Sequence, residues 1–250
     1  MISALRKFTR SLRRRGVGTT MSQTRLHVVT RARRIIRYYG EERRFDRRYR
    51  VDTRGVVHHA GRDDPVYRQA LHYQAVTEGD FAQALAPVPV DPREFTFIDI
   101  GAGKGKAVLL AAKLGYRKVI GVELAPEQAA IARQNAASYA EIVGGETSIE
   151  IVSMDAGSYP LPPEPSVIYM YNPFRAEAMA RMVENLARSL AEAPRHVFVV
   201  YHNPVELPLL EGAPCLRELR TSSECALFES TRPTQAGDGG GHGPRALAAS

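Results

Sequence analysis

Cysteine is nearly absent: Cys215 and Cys225 are the only two in 250 residues. A disulfide framework is therefore excluded, and the pair fits a reducing compartment. Neither thiol belongs to a metal-ligand pattern, and the histidine pair His58-His59 has no partners at ligand spacing, so no metal is expected. No apolar run approaches the roughly eighteen residues that a membrane-spanning helix needs, and a cytoplasmic location is expected. Acidic residues are missing from the first forty positions, Glu41 being the first. Lysine is scarce throughout, with five against 29 arginines, so an abundance of arginine alone says little about partners.

What is present is ordinary for a folded protein, with 44% hydrophobic and 24% charged residues. The charge is not spread evenly. Residues 1–54 hold 17 of the 34 basic residues but only four of the 27 acidic ones, so the remainder of the chain is mildly acidic. This basic arm admits three readings. It contacts nucleic acid or an anionic membrane surface, or it is an arginine-rich transit peptide, or it is a solvated extension. Met21 offers an alternative start.

Along the chain, residues 1–44 form the basic arm and residues 45–92 a lead-in or lid. Residues 93–230 form the core, and 231–250 a glycine-rich flexible tail. Residues 1–22 lack apolar periodicity. Val28, Val29, Ala32, Ile35, Ile36 and Tyr39 recur at helical spacing, which predicts an amphipathic helix ending at Gly40 or running on through Arg44. The segment Phe45–Gly55 carries more polar and aromatic residues than a linker needs. Val66–Leu85 reads as helical. Strands are expected near 95–100, 118–123, 148–152, 166–171 and 195–201, with helices near 104–115, 126–141 and 175–192. That alternation predicts a parallel sheet with right-handed crossovers. Leu216–Thr221 and Ala226–Ser230 are joined by too few residues for anything but an antiparallel hairpin.

The densest chemical signal is Phe97-Ile-Asp-Ile-Gly-Ala-Gly-Lys-Gly105, followed by Val119-Ile-Gly-Val-Glu123. An apolar run ends in a turn through Gly101, Gly103 and Gly105 and enters an alanine- and leucine-rich helix. A second apolar run ends in an acid placed to hold a ribose. Glycines without Cβ let a backbone approach a ligand closely, and the helix N-terminus beyond them offers free N–H groups to an anion. A dinucleotide fold favours G-x-G-x-x-G, whereas the spacing here is G-x-G-x-G with Asp99 two residues ahead. A dinucleotide oxidoreductase is the rival that this spacing argues against.

This pattern resembles class I S-adenosylmethionine-dependent methyltransferases. The resemblance implies an α/β fold with a Rossmann-like seven-stranded sheet, five parallel strands finished by the antiparallel hairpin, and helices on both faces. It implies S-adenosylmethionine as cofactor, with Asp99 facing the ammonium end and Glu123 accepting the ribose hydroxyls. Asp155 after the third strand would take the adenine amino group while Met154 lies against the ring. Tyr73 and Gln74 are expected lid contacts; a surface helix that simply caps the sheet is the alternative.

The fourth strand ends in Tyr171-Asn-Pro-Phe174. Proline fixes φ and leaves no N–H, so a carbonyl and the Asn172 side chain can be directed at a guest, with Phe174 as a wall. Asn172, Pro173 and Phe174 are the expected catalytic loop; an Asn-Pro turn without further role is the alternative. The loop is similar to the Asn-Pro-Pro-aromatic loop of methyltransferases acting on amide or aromatic amino nitrogen, although one proline is missing. It is also similar to the Asn-aromatic loop of Dot1-like protein lysine methyltransferases, which lacks proline. Together with Phe45–Gly55 it resembles a bacterial group of methyltransferases without an assigned substrate. Tyr201-His-Asn-Pro204 echoes it one strand later, and His202 is the histidine best set for acid–base work.

Methyl transfer from a sulfonium needs alignment rather than a Ser-His-Asp triad or paired carboxylates, and the sequence offers neither. The expected function is methyl transfer to a nitrogen on an acceptor not identified by sequence, protein or small molecule. A non-catalytic nucleic-acid-binding protein that senses S-adenosylmethionine is the alternative from another class.

Overall fold

The computed structural model describes residues 40–57, 73–145 and 147–231. The expected helix from Val28 to Tyr39, His58-His59, the stretch 66–72 and the tail from residue 232 lie outside the described residues. Residues 40–49 are helical (α1). Then come β1 (Val56–Val57), β2 (Tyr73–Gln74), α2 (Glu78–Leu85), β3 (Thr96–Ile100), α3 (Lys106–Lys113), β4 (Lys118–Glu123) and α4 (Pro126–Val143). The remainder is β5 (Ser148–Ser153), β6 (Ser166–Tyr171), α5 (Ala176–Glu192), β7 (Val197–His202), α6 (Leu207–Glu211), β8 (Leu216–Thr221) and β9 (Cys225–Ser230).

Strands β3 to β9 form one seven-stranded sheet in the order β5-β4-β3-β6-β7-β9-β8. The first five are parallel, while β9 runs antiparallel to both β7 and β8. This is the α/β arrangement that the alternation predicts. Parallel strands β3, β4, β6 and β7 are covered on both faces, while the edge strand β5 stays partly exposed. On one face Phe97, Val119, Tyr169 and Phe198 pack against α1 to α4; on the other Ile98, Ile120, Met170 and Val199 pack against α5 and α6. Neighbouring residues along each strand thus feed opposite cores, as the two-residue period of a strand requires. Helix α5 supplies its share through Ala178, Met179, Met182, Leu186 and Leu190, one apolar stripe at helical spacing. Among the described residues no helix is long and apolar enough to cross a membrane.

Two expectations require correction. Of the helix expected over Val66–Leu85, residues 73–77 are not helical and α2 spans Glu78–Leu85. Thr77 stops it from starting earlier: its backbone is extended and its side chain accepts the Asp80 N–H at 3.0 Å, an N-cap. Tyr73 and Gln74 are instead extended and pair antiparallel with Val57 and Val56. The helix expected to end by Arg44 runs on to residue 49. Glu42, Phe45, Asp46 and Tyr49 are buried and recur at helical spacing, so the helix is anchored in the body by the rings of Phe45 and Tyr49 with two buried carboxylates beside them. Phe45, Tyr49 and Tyr139 form a run of ring contacts at 4.7 and 4.9 Å.

Candidate functional site

The sheet changes winding direction between β3 and β6. From β3 the chain proceeds outward through β4 and β5, then crosses back to β6 and β7. In open α/β sheets ligands bind beyond the carboxyl ends of the strands at such a switch point. The residues that flank it are the glycine turn after β3 and the Asn-Pro corner after β6. They touch: a Cβ on Gly101 would lie 2.6 Å from Pro173 Cβ.

The turn takes its shape from left-handed backbone, with φ of 80° at Gly101, 54° at Gly103 and 84° at Gly105. Side chains rarely tolerate that region. Glu123 secures the turn from the neighbouring strand. Its carboxylate accepts the Gly103 N–H at 2.7 Å and the Ala125 N–H at 2.8 Å. Burial raises its pKa, and those backbone hydrogen bonds oppose the rise. Helix α3 starts immediately behind the turn, and Gly105 provides no side-chain cap for its first N–H groups.

Asp99 lies on the face of β3 that packs on α3, flanked across the sheet by Gly121 and Tyr169. It is 3% exposed. Burial, with the negative charge of Glu123 nearby, pushes its pKa up to about 8. Its carboxyl is therefore largely protonated at neutral pH.

Beyond β6 the backbone turns sharply. Asn172 has φ of 42° and Asn203, the corresponding residue after β7, has φ of 52°. Both precede proline, which disfavours helical backbone in the residue ahead of it. Strain of this kind persists only where the surroundings enforce it. Here the register pairs Tyr171 with His202, and the Asn172 N–H donates to the His202 carbonyl at 3.1 Å. The Asn203 N–H donates to the Glu224 carbonyl at 2.7 Å. The buried Tyr201 hydroxyl donates to Asn172 Oδ1 at 3.5 Å and accepts the Glu206 N–H at 3.1 Å. Phe174 is buried in the core formed with α5.

His202 stacks on Tyr171 with centroids 4.5 Å apart, and its Nδ1 shares a 2.9 Å hydrogen bond with the Tyr169 hydroxyl. Burial lowers its pKa, so the imidazole is neutral at pH 7. Met154 and Asp155 follow β5 at the same edge of the sheet. Met154 is among the exposed apolar residues. The Asp155 carboxylate accepts the Gly157 N–H at 3.1 Å and lies 3.6 Å from the Arg181 guanidinium. Tyr73 and Gln74 have extended backbone in β2.

Sequence reasoning missed the clamp between lead-in and glycine turn. Asn135 on α4 donates to the carbonyls of Asp52 and Lys104, at 2.8 and 2.9 Å, and its Oδ1 accepts the Asp52 N–H. Lys104, inside the glycine motif, reaches the Asp52 carboxylate at 2.9 Å and the Arg54 carbonyl at 2.8 Å. Behind it Lys106 is 2% exposed, 3.3 Å from the Glu42 carboxylate and 3.4 Å from the centre of the Phe45 ring. The signal for all of this was the polar and aromatic density of Phe45–Gly55.

Residues 97–193 match a family model described as a methyltransferase domain. No curated protein matches the chain. Among solved structures, a ribosomal protein L11 methylase from Lactobacillus delbrueckii subsp. bulgaricus is 19% identical, with 61% of this chain and 77% of that one covered at a TM-score of 0.42. An RNA methyltransferase from Salinibacter ruber, in complex with S-adenosyl-L-homocysteine, is 19% identical, covering 65% and 96% at 0.43. Magnesium protoporphyrin IX methyltransferase from Synechocystis, with bound S-adenosylhomocysteine, is 16% identical, covering 79% and 98% at 0.47.

Proposed function

We propose that this chain, whose residues 97–193 match a methyltransferase domain, is an S-adenosylmethionine-dependent methyltransferase whose methyl acceptor is a nitrogen presented at the Asn172-Pro173 corner. The observation that carries this reading is the contact between Pro173 and Gly101, which sets the acceptor corner directly against the cofactor turn.

The residues present suit the cofactor. Three left-handed glycines open the backbone, α3 begins without a side-chain cap, and Asp99 is a buried acid beside the turn. Gly101, Gly103, Gly105 and the first turn of α3 would hold the methionyl carboxylate, and Asp99 the ammonium. Glu123 retains lone pair capacity beyond its backbone partners Gly103, Leu124 and Ala125 for the ribose hydroxyls. Asp155 would take the adenine amino group, Met154 would cover the ring, and Tyr73 would close from the lead-in. When bound, S-adenosylmethionine supplies a methyl group on a positively charged sulfur, open to in-line displacement.

The chain's own task is alignment, which contributes roughly 7–11 kcal/mol in favourable cases. At the corner, the Asn172 side chain and the strand-end carbonyl direct the nitrogen lone pair, while Pro173 withholds a competing N–H donor. Tyr201 fixes the Asn172 amide through one lone pair of its oxygen, leaving the other to accept an N–H of the guest. The neutral imidazole of His202, one strand over, is a proton acceptor at the same edge.

Two measurements test this. Methyl-labelled S-adenosylmethionine is incubated with the protein and a cell extract, and the labelled product is treated with mild alkali. Label released as methanol marks an ester and refutes the nitrogen reading; stable label is hydrolysed and chromatographed against methylated standards, where an N-methyl product supports that reading and an O-, C- or S-methyl product refutes it. Replacing Asn172 with Gly keeps the left-handed backbone and removes only the amide. That variant should bind the cofactor normally by calorimetry, yet transfer methyl about 100-fold more slowly, as for a lost positioning hydrogen bond. Undiminished transfer removes Asn172 from the site.

A further inference from the structure

Helix α1 buries Glu42, Phe45, Asp46 and Tyr49 and exposes Arg43, Arg44, Arg47 and Arg48. Arg50 and Arg54 continue this basic side past its end. Arg43, Arg47, Arg50 and Arg54, with Asp46 and Val51, line a concavity of about 340 Å³. Its one carboxylate is already engaged. Asp46 accepts the Thr53 hydroxyl at 2.6 Å, the Thr53 N–H at 3.3 Å and Arg54 Nε at 2.8 Å. Arg43, Arg47 and Arg50 pair with no carboxylate among the described residues.

A second observation points the same way. Helix α1 closes with the Val51 N–H donating to the Asp46 carbonyl at 3.0 Å, and Arg50, between them, has φ of 52°. That is the helix-ending position where glycine is favoured, because an L side chain is strained there. Arg50 is exposed, so no packing demands its side chain. A guanidinium is held at the rim of the concavity against the backbone's preference.

We propose that this concavity is a phosphate-binding site that takes the backbone of a nucleic-acid strand. Guanidinium forks match phosphate oxygens in pairs. The arginines extend beyond the concavity through Arg44 and Arg48, which suits successive phosphates better than a single enclosed one. A membrane is disfavoured because the apolar side of α1 is already buried, with Phe45 and Tyr49 each 5% exposed, leaving none to enter a bilayer.

The test titrates the full chain against a fluorescent single-stranded 20-mer over a salt series, with pyrophosphate and phosphatidylserine vesicles in parallel. Arg47→Gln and Arg50→Gly should each weaken oligonucleotide binding about tenfold and flatten the logarithmic salt slope by about 0.7. Calorimetric S-adenosylmethionine affinity serves as the check of folding, and Arg50→Gly should not lower the melting temperature. Oligonucleotide binding that both variants leave unchanged overturns the proposal, because the contact then lies elsewhere on the chain. Pyrophosphate binding as tight as that of the 20-mer, or variant-sensitive binding to vesicles alone, overturns the assignment to a strand.

Discussion

Replacing Asp99 with Asn should make the protein more stable at neutral pH while weakening its grip on the cofactor. In the folded chain the Asp99 carboxyl titrates at about 8, against 3.8 when unperturbed. Between those values the folded state holds a proton that the unfolded state has released. Stability therefore falls as pH rises through this window, by up to about 1.4 kcal/mol per pH unit. At pH 7, some three units above the unfolded value, the accumulated loss is on the order of 4 kcal/mol. Asn has the same shape and no titration, so it escapes that loss. For a chain of this size each kcal/mol moves the melting temperature by about 2–4 °C, giving a gap on the order of 10 °C at pH 7 that closes towards pH 4. Thermal unfolding of both proteins from pH 4 to 8 measures it. Parallel curves would refute the burial argument. Calorimetry supplies the companion test: an ammonium group beside Asp99 favours its ionised form, so S-adenosylmethionine binding at pH 7 should release close to one proton in wild type. In Asp99→Asn that release should vanish.

The remaining perturbations probe what holds the turn. Glu42→Ala would strand the buried Lys106 charge and should cost about 3–5 kcal/mol in urea unfolding, whereas Glu42→Leu with Lys106→Met should recover most of it. Gly101→Ala meets both a left-handed φ and Pro173 Cβ at 2.6 Å; it should destabilise by about 1–3 kcal/mol and slow methyl transfer. Gly103→Val, a branched side chain at φ of 54°, should abolish S-adenosylmethionine binding by calorimetry. Glu123→Ala removes the anchor of the Gly103 N–H and should weaken cofactor binding by at least tenfold.

Much of this molecule was legible because its signals are local. Strand and helix periods lie within a few residues of one another, and Lys118–Glu123 and Ser166–Tyr171 were placed to the residue. The short link between β8 and β9 left only an antiparallel pairing. The glycine spacing and its acid are equally local. Misreadings came where a cap or a distant partner overruled the pattern. Thr77 set the start of α2 against an apolar stretch that ran through it. Strands of two residues, such as Tyr73–Gln74, carry no period and depend wholly on Val56–Val57.

The sequence by itself determined the sheet, the order of its elements, and the turn with Asp99, Gly101, Gly103, Gly105 and Glu123. A period of two or of about 3.6 residues and a short glycine-and-acid motif need no knowledge of what lies across the fold. Only the tertiary structure decided how those parts meet. It set Pro173 against Gly101, 72 positions earlier in the chain. It tied Asp52 to Lys104 through Asn135, buried Asp99 until its proton stayed on at neutral pH, and gathered four arginines around one concavity. Each of these depends on distance and desolvation between residues far apart in the chain, which no pattern of neighbours encodes.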